Sequence, residues 1–380
     1  MVVKPGIPWY FQPMKTAFGL FMPTYVSSGS AFELRRLTGG IRYDFEVAEA
    51  FRSRGFITNT LDLETLPAHV RSLRFPATAH LWKASQDKPF HTLVTDLGTS
   101  PLTLGLQERA GRAGILTVLI CHHFRGHLEK PLLKRLLHRY CEKRIVAGAD
   151  ILVANSSHTR SVLVGMGRAP HDIILAPPGL NVPLASGPRR SENPATILAV
   201  GNIEERKGVI DAVRALGHAG LPSATLVLAG SDELEPSYAR EVRALTERSG
   251  LSGRVRITGR LTDDELKGFF RSADVFMLLS RWEGYGMAIA EAMASGLPVL
   301  STTAGAIPGI VANGVSGLLV EPGDWKAAGD YLRLLFTDAP LRRRLAEEAL
   351  KSAAGFPTWK DTTDRIVQEV LSRLQSPSRK

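Results

Sequence analysis

A chain of 380 residues, 44% hydrophobic and 22% charged, has the composition of a folded globular protein and is too long for one ordinary core, so two domains are expected. Its net charge of +10 is uneven: residues 1–190 carry 24 Lys+Arg against 13 Asp+Glu, and the remainder 23 against 24. A basic first half suits an anionic membrane, an acidic acceptor or plain solubility, whereas nucleic acid is not expected without a zinc-finger, RNP or basic-zipper pattern.

No apolar run reaches the roughly 20 residues of a spanning helix. Met1–Trp9 lacks an apolar signal core, and Cys121 and Cys141 show neither metal spacing nor a disulfide framework, so a cytoplasmic location is expected. In chain order, Thr16–Met22 predicts a strand, followed by a loop rich in Ser and Gly. Gly39–Gly40 then opens a helix to about Arg54. Apolar runs at Ile57–Leu61, His91–Thr95, Leu116–Cys121 and Ile151–Ala154 predict further strands with helices between them. That alternation implies a largely parallel sheet in an α/β fold. His122 and His123 close the third of these runs. A histidine there reaches into a cleft or pairs with a backbone carbonyl, and the residues alone leave both open.

Residues 127–145 interleave Lys130, Lys134, Arg135, His138, Arg139, Lys143 and Arg144 with Leu128, Leu132, Leu133, Leu136, Leu137 and Tyr140. Such a basic amphipathic helix can lie at the anionic inner face of a membrane as a peripheral contact. The other reading packs the apolar face on the sheet and leaves the basic face in water.

Pro, Gly, Ser and Asn collect from Pro177 to Pro194, which is linker chemistry. Alternation then resumes: strand Thr196–Val200 and a helix from Lys207, strand Ala224–Ala229 and a helix ending near Ser249. Arg254–Thr258 leads to Thr262–Arg271, Asp274–Leu278 to a helix bearing Glu291, and a last helix runs from about Thr358 to Leu374. In the loop after Val200, Lys207 offers a compact positive charge and Arg206 a forked one. Asp263–Asp264–Glu265 reads as a helix start capped by Thr262 rather than a metal site. After Ser280, Glu283 stands at a loop edge. Gly284 and Gly286 let backbone approach a ligand, the amides of Gly286, Met287 and Ala288 suit a phosphate, and Glu291 lies two turns in. Carboxylates on both sides of a phosphate seat can take sugar hydroxyls. That is the order of parts in a nucleotide sugar.

The run from Ala273 to Asp324 resembles the donor-site signature of retaining glycosyltransferases of family 4. The resemblance rests on Ser272–Phe276, the two glutamates with seven residues between them, Glu-Ala-Met-Ala, Gly-Leu-Pro-Val and Gly317–Val320. It implies GT-B architecture, two Rossmann-like domains facing a central cleft. The acceptor-side domain would span 1–185 and the nucleotide-sugar domain 193–357, with a helix in 358–380 crossing back to the first. Transfer of a hexose from a nucleoside-diphosphate sugar with retention is the implied activity, to a glycan, lipid-linked or small-molecule acceptor in polysaccharide or glycolipid synthesis. Neither cofactor nor metal is implied.

By the same resemblance Glu283 holds the hexose, with His122, or as second choice His123, on the opposite wall. Glu291 holds the ribose, Lys207 and Arg206 the diphosphate, Arg260 and Leu261 the base, and the Gly39–Gly40 loop closes over the phosphates. Gly201 matches the phosphate motif, but Asn202 stands where the family has arginine, so a cation is missing or Arg206 replaces it. Ala304–Gly309 departs from the family's Gly-Gly-x-Pro-Glu. These departures keep a non-catalytic nucleotide-sugar-binding subunit as an alternative, and an epimerase on the same fold is the other. Donor and acceptor identity would lie partly in Pro23–Thr38 and Phe75–Pro89, which match no known pattern.

Overall fold

A computed structural model describes residues 17–22, 39–62, 92–124, 132–183, 185, 187 and 195–375. The loops Pro23–Thr38 and Phe75–Pro89 therefore lie outside the described residues, as do residues 127–131. The first domain runs β1 (Ala17–Met22), α1 (Gly39–Arg52), β2 (Ile57–Asp62), β3 (Thr92–Asp96), α2 (Ser100–Arg112), β4 (Leu116–Cys121), α3 (Leu132–Gly148), β5 (Ile151–Ala154), α4 (Ser157–Gly165) and β6 (Ile173–Leu175). Its sheet order is β2-β1-β3-β4-β5-β6, with every neighbour parallel.

The second domain runs β7 (Thr196–Val200), α5 (Val209–Ala219), β8 (Thr225–Ala229), α6 (Pro236–Arg248), β9 (Val255–Gly259), α7 (Asp263–Ser272), β10 (Val275–Leu278), α8 (Met287–Ala294), β11 (Val299–Thr302), β12 (Leu318–Val320), α9 (Trp325–Thr337) and α10 (Ala339–Ala353). Its order is β12-β11-β10-β7-β8-β9, again parallel throughout.

Helices cover both faces of the second sheet, so its strands are apolar in succession. The pleat divides them between two cores. Ile197, Val275 and Met277 pack with α5 and α9, while Leu198, Phe276 and Leu278 pack with α8 and α10. Strand order reverses between β7 and β10, and ligands of doubly wound sheets bind at the carboxyl ends of strands at such a switch point. The loops after β7 and β10 flank that crevice. In the first sheet the corresponding point lies between β1 and β3.

A last helix, α11 (Trp359–Gln375), returns to the first domain. Ile366, Val367 and Val370 share a core with Tyr43, Val47 and Phe51 of α1. A Cβ on Gly179 would fall 2.1 Å from the Trp359 amide nitrogen, so the chain crossing between domains lies directly against the start of α11. Thr362 donates to the Pro177 carbonyl at 2.6 Å, which fixes the same crossing.

Several details differ from the sequence reading. The helix expected from Lys207 begins at Val209, because Glu205–Lys207 forms a 3-10 turn that ends in Gly208 at φ +64°. β6 was not anticipated; its three residues are too short a run to register. In α3 the buried side is His138, Cys141, Glu142, Ile145 and Val146, whereas Leu132, Leu133, Leu136 and Tyr140 face outward. Of the two readings open for this helix, packing of its apolar face on the sheet holds only for half-buried Leu137; Leu132, Leu133, Leu136 and Tyr140 lie outside, and a histidine and a glutamate are buried in their place.

Candidate active site

The two loops at the second domain's switch point are tied to each other, Arg281 N–H donating to the Arg206 carbonyl at 2.7 Å. Close backbone approach makes this possible. A Cβ on Gly208 would fall 1.8 Å from the Leu279 carbonyl oxygen. Lys207 Nζ donates to Glu283 Oε1 at 2.7 Å, Ser280 Oγ donates to the same oxygen at 2.7 Å, and Arg206 Nη1 lies 3.5 Å from Oε2. Burial works to raise the Glu283 pKa, but the Lys207 and Arg206 charges and these hydrogen bonds outweigh it and hold it down to about 2. Burial lowers the Lys207 pKa from its ordinary value, with Glu283 opposing.

The Glu283 backbone is fixed as firmly as its side chain. Its carbonyl accepts from the Ala306 N–H at 2.9 Å, and Thr302 Oγ1 donates to the Ser280 carbonyl at 2.6 Å. Gly305, at φ +58°, lies so close that a Cβ would come within 2.2 Å of the Glu283 carbonyl oxygen. The segment that departs from the family pattern therefore cradles this glutamate. Gly309 faces open space, and nothing in the structure explains the missing acid there. Gly201 admits the Lys207 stem against the backbone. Asn202 is half-buried, its carbonyl accepting from Glu204 N–H, while Arg206 supplies the second cation beside Lys207.

Gly286, at φ +103°, starts α8. Ile289 and Ala290 N–H both donate to its carbonyl, so the Met287 and Ala288 amides lie ahead of the helical ladder. Glu291 is buried just over one turn into the helix. Its Oε1 accepts from Asn181 Nδ2 at 2.6 Å, and Asn181 Oδ1 accepts from Trp359 Nε1 at 2.8 Å. Burial raises the Glu291 pKa to about 7, against the Asn181 hydrogen bond and the Arg42 charge. Arg42 of α1 also meets Asp263 at 3.4 Å across the domains. Exposed Arg260 and half-buried Leu261 lead into Asp263 at the periphery of this group. Thr262 and Glu265 form the expected capping box.

The first domain supplies the facing wall. His122 is buried, its Nε2 lies 2.9 Å from Asp44 Oδ1, and the Tyr43 ring meets it edge-on at 5.0 Å. Burial raises the Asp44 pKa to about 6. For His122 burial acts downward, but Asp44 prevails and its pKa is raised. A Cβ on Gly40 would press to 3.3 Å from the His122 ring, and one on Gly39 would come within 2.9 Å of Met287 Sδ. The starts of α1 and α8 therefore meet. A Cβ on Gly284 would fall 1.9 Å from the His122 carbonyl oxygen, which also accepts from Asn155 Nδ2 at 3.1 Å. Half-buried His123 precedes Phe124, which enters the core under α3.

The structure thus brings Gly39, Gly40, His122, Gly201, Arg206, Lys207, Glu283, Gly286, Met287, Ala288 and Glu291 around one interdomain cleft, with Asn202, Arg260 and Leu261 at its margin. Asp44, Asn181, Ser280 and Trp359 were missed. Asp44 carried a readable signal, an acid on the apolar side of a helix four residues after Gly40. Asn181 carried none, since its partners lie 110 and 178 residues away.

Comparison with known proteins follows the same division. Residues 28–179 match the glycosyl transferase 4-like domain model, and 186–352 match that of glycosyl transferases group 1. A D-inositol 3-phosphate glycosyltransferase of Xylanimonas cellulosilytica is 32% identical over 232 residues, 57% of this chain and 55% of the relative. One from Stackebrandtia nassauensis is 32% identical over 259 residues, 63% of this chain and 58% of the relative. The chain spans somewhat over half the length of these curated relatives. Among solved structures, sucrose-phosphate synthase from Thermosynechococcus elongatus superposes with a TM-score of 0.79 at 20% identity, covering 94% of this chain and 99% of that one. HepE from Anabaena in complex with UDP and glucose gives 0.72 at 16% identity, covering 93% and 99%. With both halves matched by the family's models and the whole by its two-lobed architecture, the chain belongs to the group 1, family 4-like glycosyltransferases of GT-B fold.

Proposed function

We propose that this protein transfers a hexose-type sugar from a nucleoside-diphosphate sugar to an acceptor, with retention of configuration. The observation that carries the reading is the Lys207–Glu283 ion pair, braced by Arg206 and set at the mouth of α8. An ionised carboxylate is an acceptor only, so Glu283 suits sugar hydroxyls, while both cations and the Met287 and Ala288 amides suit the diphosphate. Glu291 takes the ribose hydroxyls, and His122, held by Asp44, stands on the hexose side. Donors already aimed where the leaving diphosphate gains charge supply the main catalytic term. The sugar's C1–O bond to the phosphate breaks and the acceptor oxygen bonds to C1 on the same face. The acceptor proton passes to the leaving phosphate oxygen. No step calls for a metal. The charge excess of the first half supports an acceptor that is anionic or held at an anionic surface.

A thermal-shift screen of UDP-, GDP- and ADP-sugars identifies the donor, because a ligand that binds only the folded state raises Tm by mass action. HepE, solved with UDP-glucose, makes UDP-sugars the first choice. With the donor in hand, NMR of the product anomer tests retention, and EDTA is expected to leave the rate unchanged. Glu283→Ala should abolish transfer while bare nucleotide still binds. Binding without transfer or donor hydrolysis across an acceptor panel would point instead to a non-catalytic subunit, and an epimerised donor formed without acceptor to an epimerase.

A further inference from the structure

We infer that the outer face of α3 is a docking surface for an anionic lipid bilayer. At 3.6 residues per turn, Leu132, Leu136, Tyr140 and Leu133 fall within about 100° of helix circumference, opposite the face that buries His138, Cys141 and Ile145. Their exposures are 59%, 53%, 54% and 80%, high for large apolar side chains in one stripe. Arg135 and Arg139 border one edge of the stripe, and Lys143 continues it about one turn past Tyr140. Arg144 borders the other and pairs with Glu108 of α2 at 2.5 Å. Glu142, the only acid in α3, is buried, so the helix presents no negative charge to a partner.

The occupant must therefore offer negative charge around an apolar phase, and must accept a convex ridge rather than fill a groove. An anionic bilayer does both: basic side chains meet headgroups while leucines enter the acyl boundary. The stripe lies in the first half of α3, and the amino ends of crossover helices stand on the side where the strands end. In β4 that end bears His122. Docking there would hold the cleft near the surface, where a lipid-linked acceptor resides. No helix among the described residues is long and apolar enough to cross a membrane, so the contact is peripheral.

Full-length chain is sedimented with vesicles of phosphatidylcholine alone or mixed with phosphatidylglycerol. Binding is expected only to the mixed vesicles. Arg135→Ala, Arg139→Ala and Lys143→Ala should each weaken it about fivefold, and Leu133→Ser with Leu136→Ser about tenfold or more. These residues lie outside the donor site, so Tm and nucleotide binding should not change. Equal partition to neutral vesicles, or a leucine variant that binds like wild type, would overturn the inference. So would a wild-type dimer in light scattering that the leucine variant dissolves, since a second copy would then cover the stripe. The vesicle assay contains no sugar, so its failure is separate from failure of the proposed transfer.

Discussion

Glu283 is useful because its surroundings leave it no neutral form at physiological pH. Two cations and a hydroxyl surround a carboxylate that burial alone would neutralise. Glu283→Gln keeps the shape and removes the charge, stranding Lys207 and Arg206. The cost in stability is expected at about 3–5 kcal/mol, read from denaturant midpoints, and kcat should fall about 10²–10³-fold. Glu291 behaves in the opposite sense. Its folded pKa, about 7, lies above the ordinary 4.5, so between these values the native state holds a proton that the unfolded chain has released. Stability from this site is full below pH 4.5 and declines as pH rises through 7, by on the order of 3 kcal/mol. Glu291→Gln should remove that slope from the Tm–pH curve. Donor hydroxyls favour the ionised form, so nucleotide affinity in the wild type should rise across pH 6–8. A flat calorimetric profile would contradict the ribose role.

At the scale of elements, the cleft is built by helix starts and strand ends that touch through glycines. Gly284 lies against the His122 carbonyl, and Gly39 against Met287, because neither carries a side chain. Gly284→Ala would place a methyl carbon 1.9 Å from that oxygen, so the β10 and β4 loops must separate. Nucleotide binding within the second domain should survive, while transfer falls at least tenfold. A variant with wild-type kcat would show that the contact plays no part in assembling the site. The capping box of α7 is local by contrast: Thr262→Ala should cost about 1 kcal/mol and leave donor affinity within twofold.

The molecule as a whole is two doubly wound sheets joined twice, once by the crossing near Asn181 and once by α11. Trp359 binds Asn181, and Asn181 binds Glu291, so the return of the C-terminal helix is wired to the carboxylate assigned to the ribose. Asn181→Ala should raise the donor KM severalfold with kcat little changed. Ile366→Ala removes a buried side chain from the core that α11 shares with α1. It is expected to cost about 2–5 kcal/mol. The loss should appear as a lower melting transition of the first domain, with nucleotide-dependent stabilisation of the second retained.

How much of this was legible in the chain depends on the range of the forces involved. Strand–helix alternation, the Thr262 capping box and the Glu283–Glu291 spacing are local patterns, set by residues within a turn or two of one another, and they announced two α/β domains and a glycine-led helix start between two carboxylates. Which way the leucines of α3 face stayed open in the chain because periodicity reports that a helix has an apolar stripe, not which side the sheet will cover. The His122–Asp44 pair, the Asn181 relay and the closeness of Gly284 to His122 join residues 78, 110 and 162 positions apart. Contacts of that kind exist only once two sheets have packed, because burial and distance, rather than residue type, make the hydrogen bonds strong and move the carboxyl groups to about 2 and about 7. Amino-acid order determined the folding units and the chemistry they carry. Tertiary packing alone decided which groups meet, and in what state of charge.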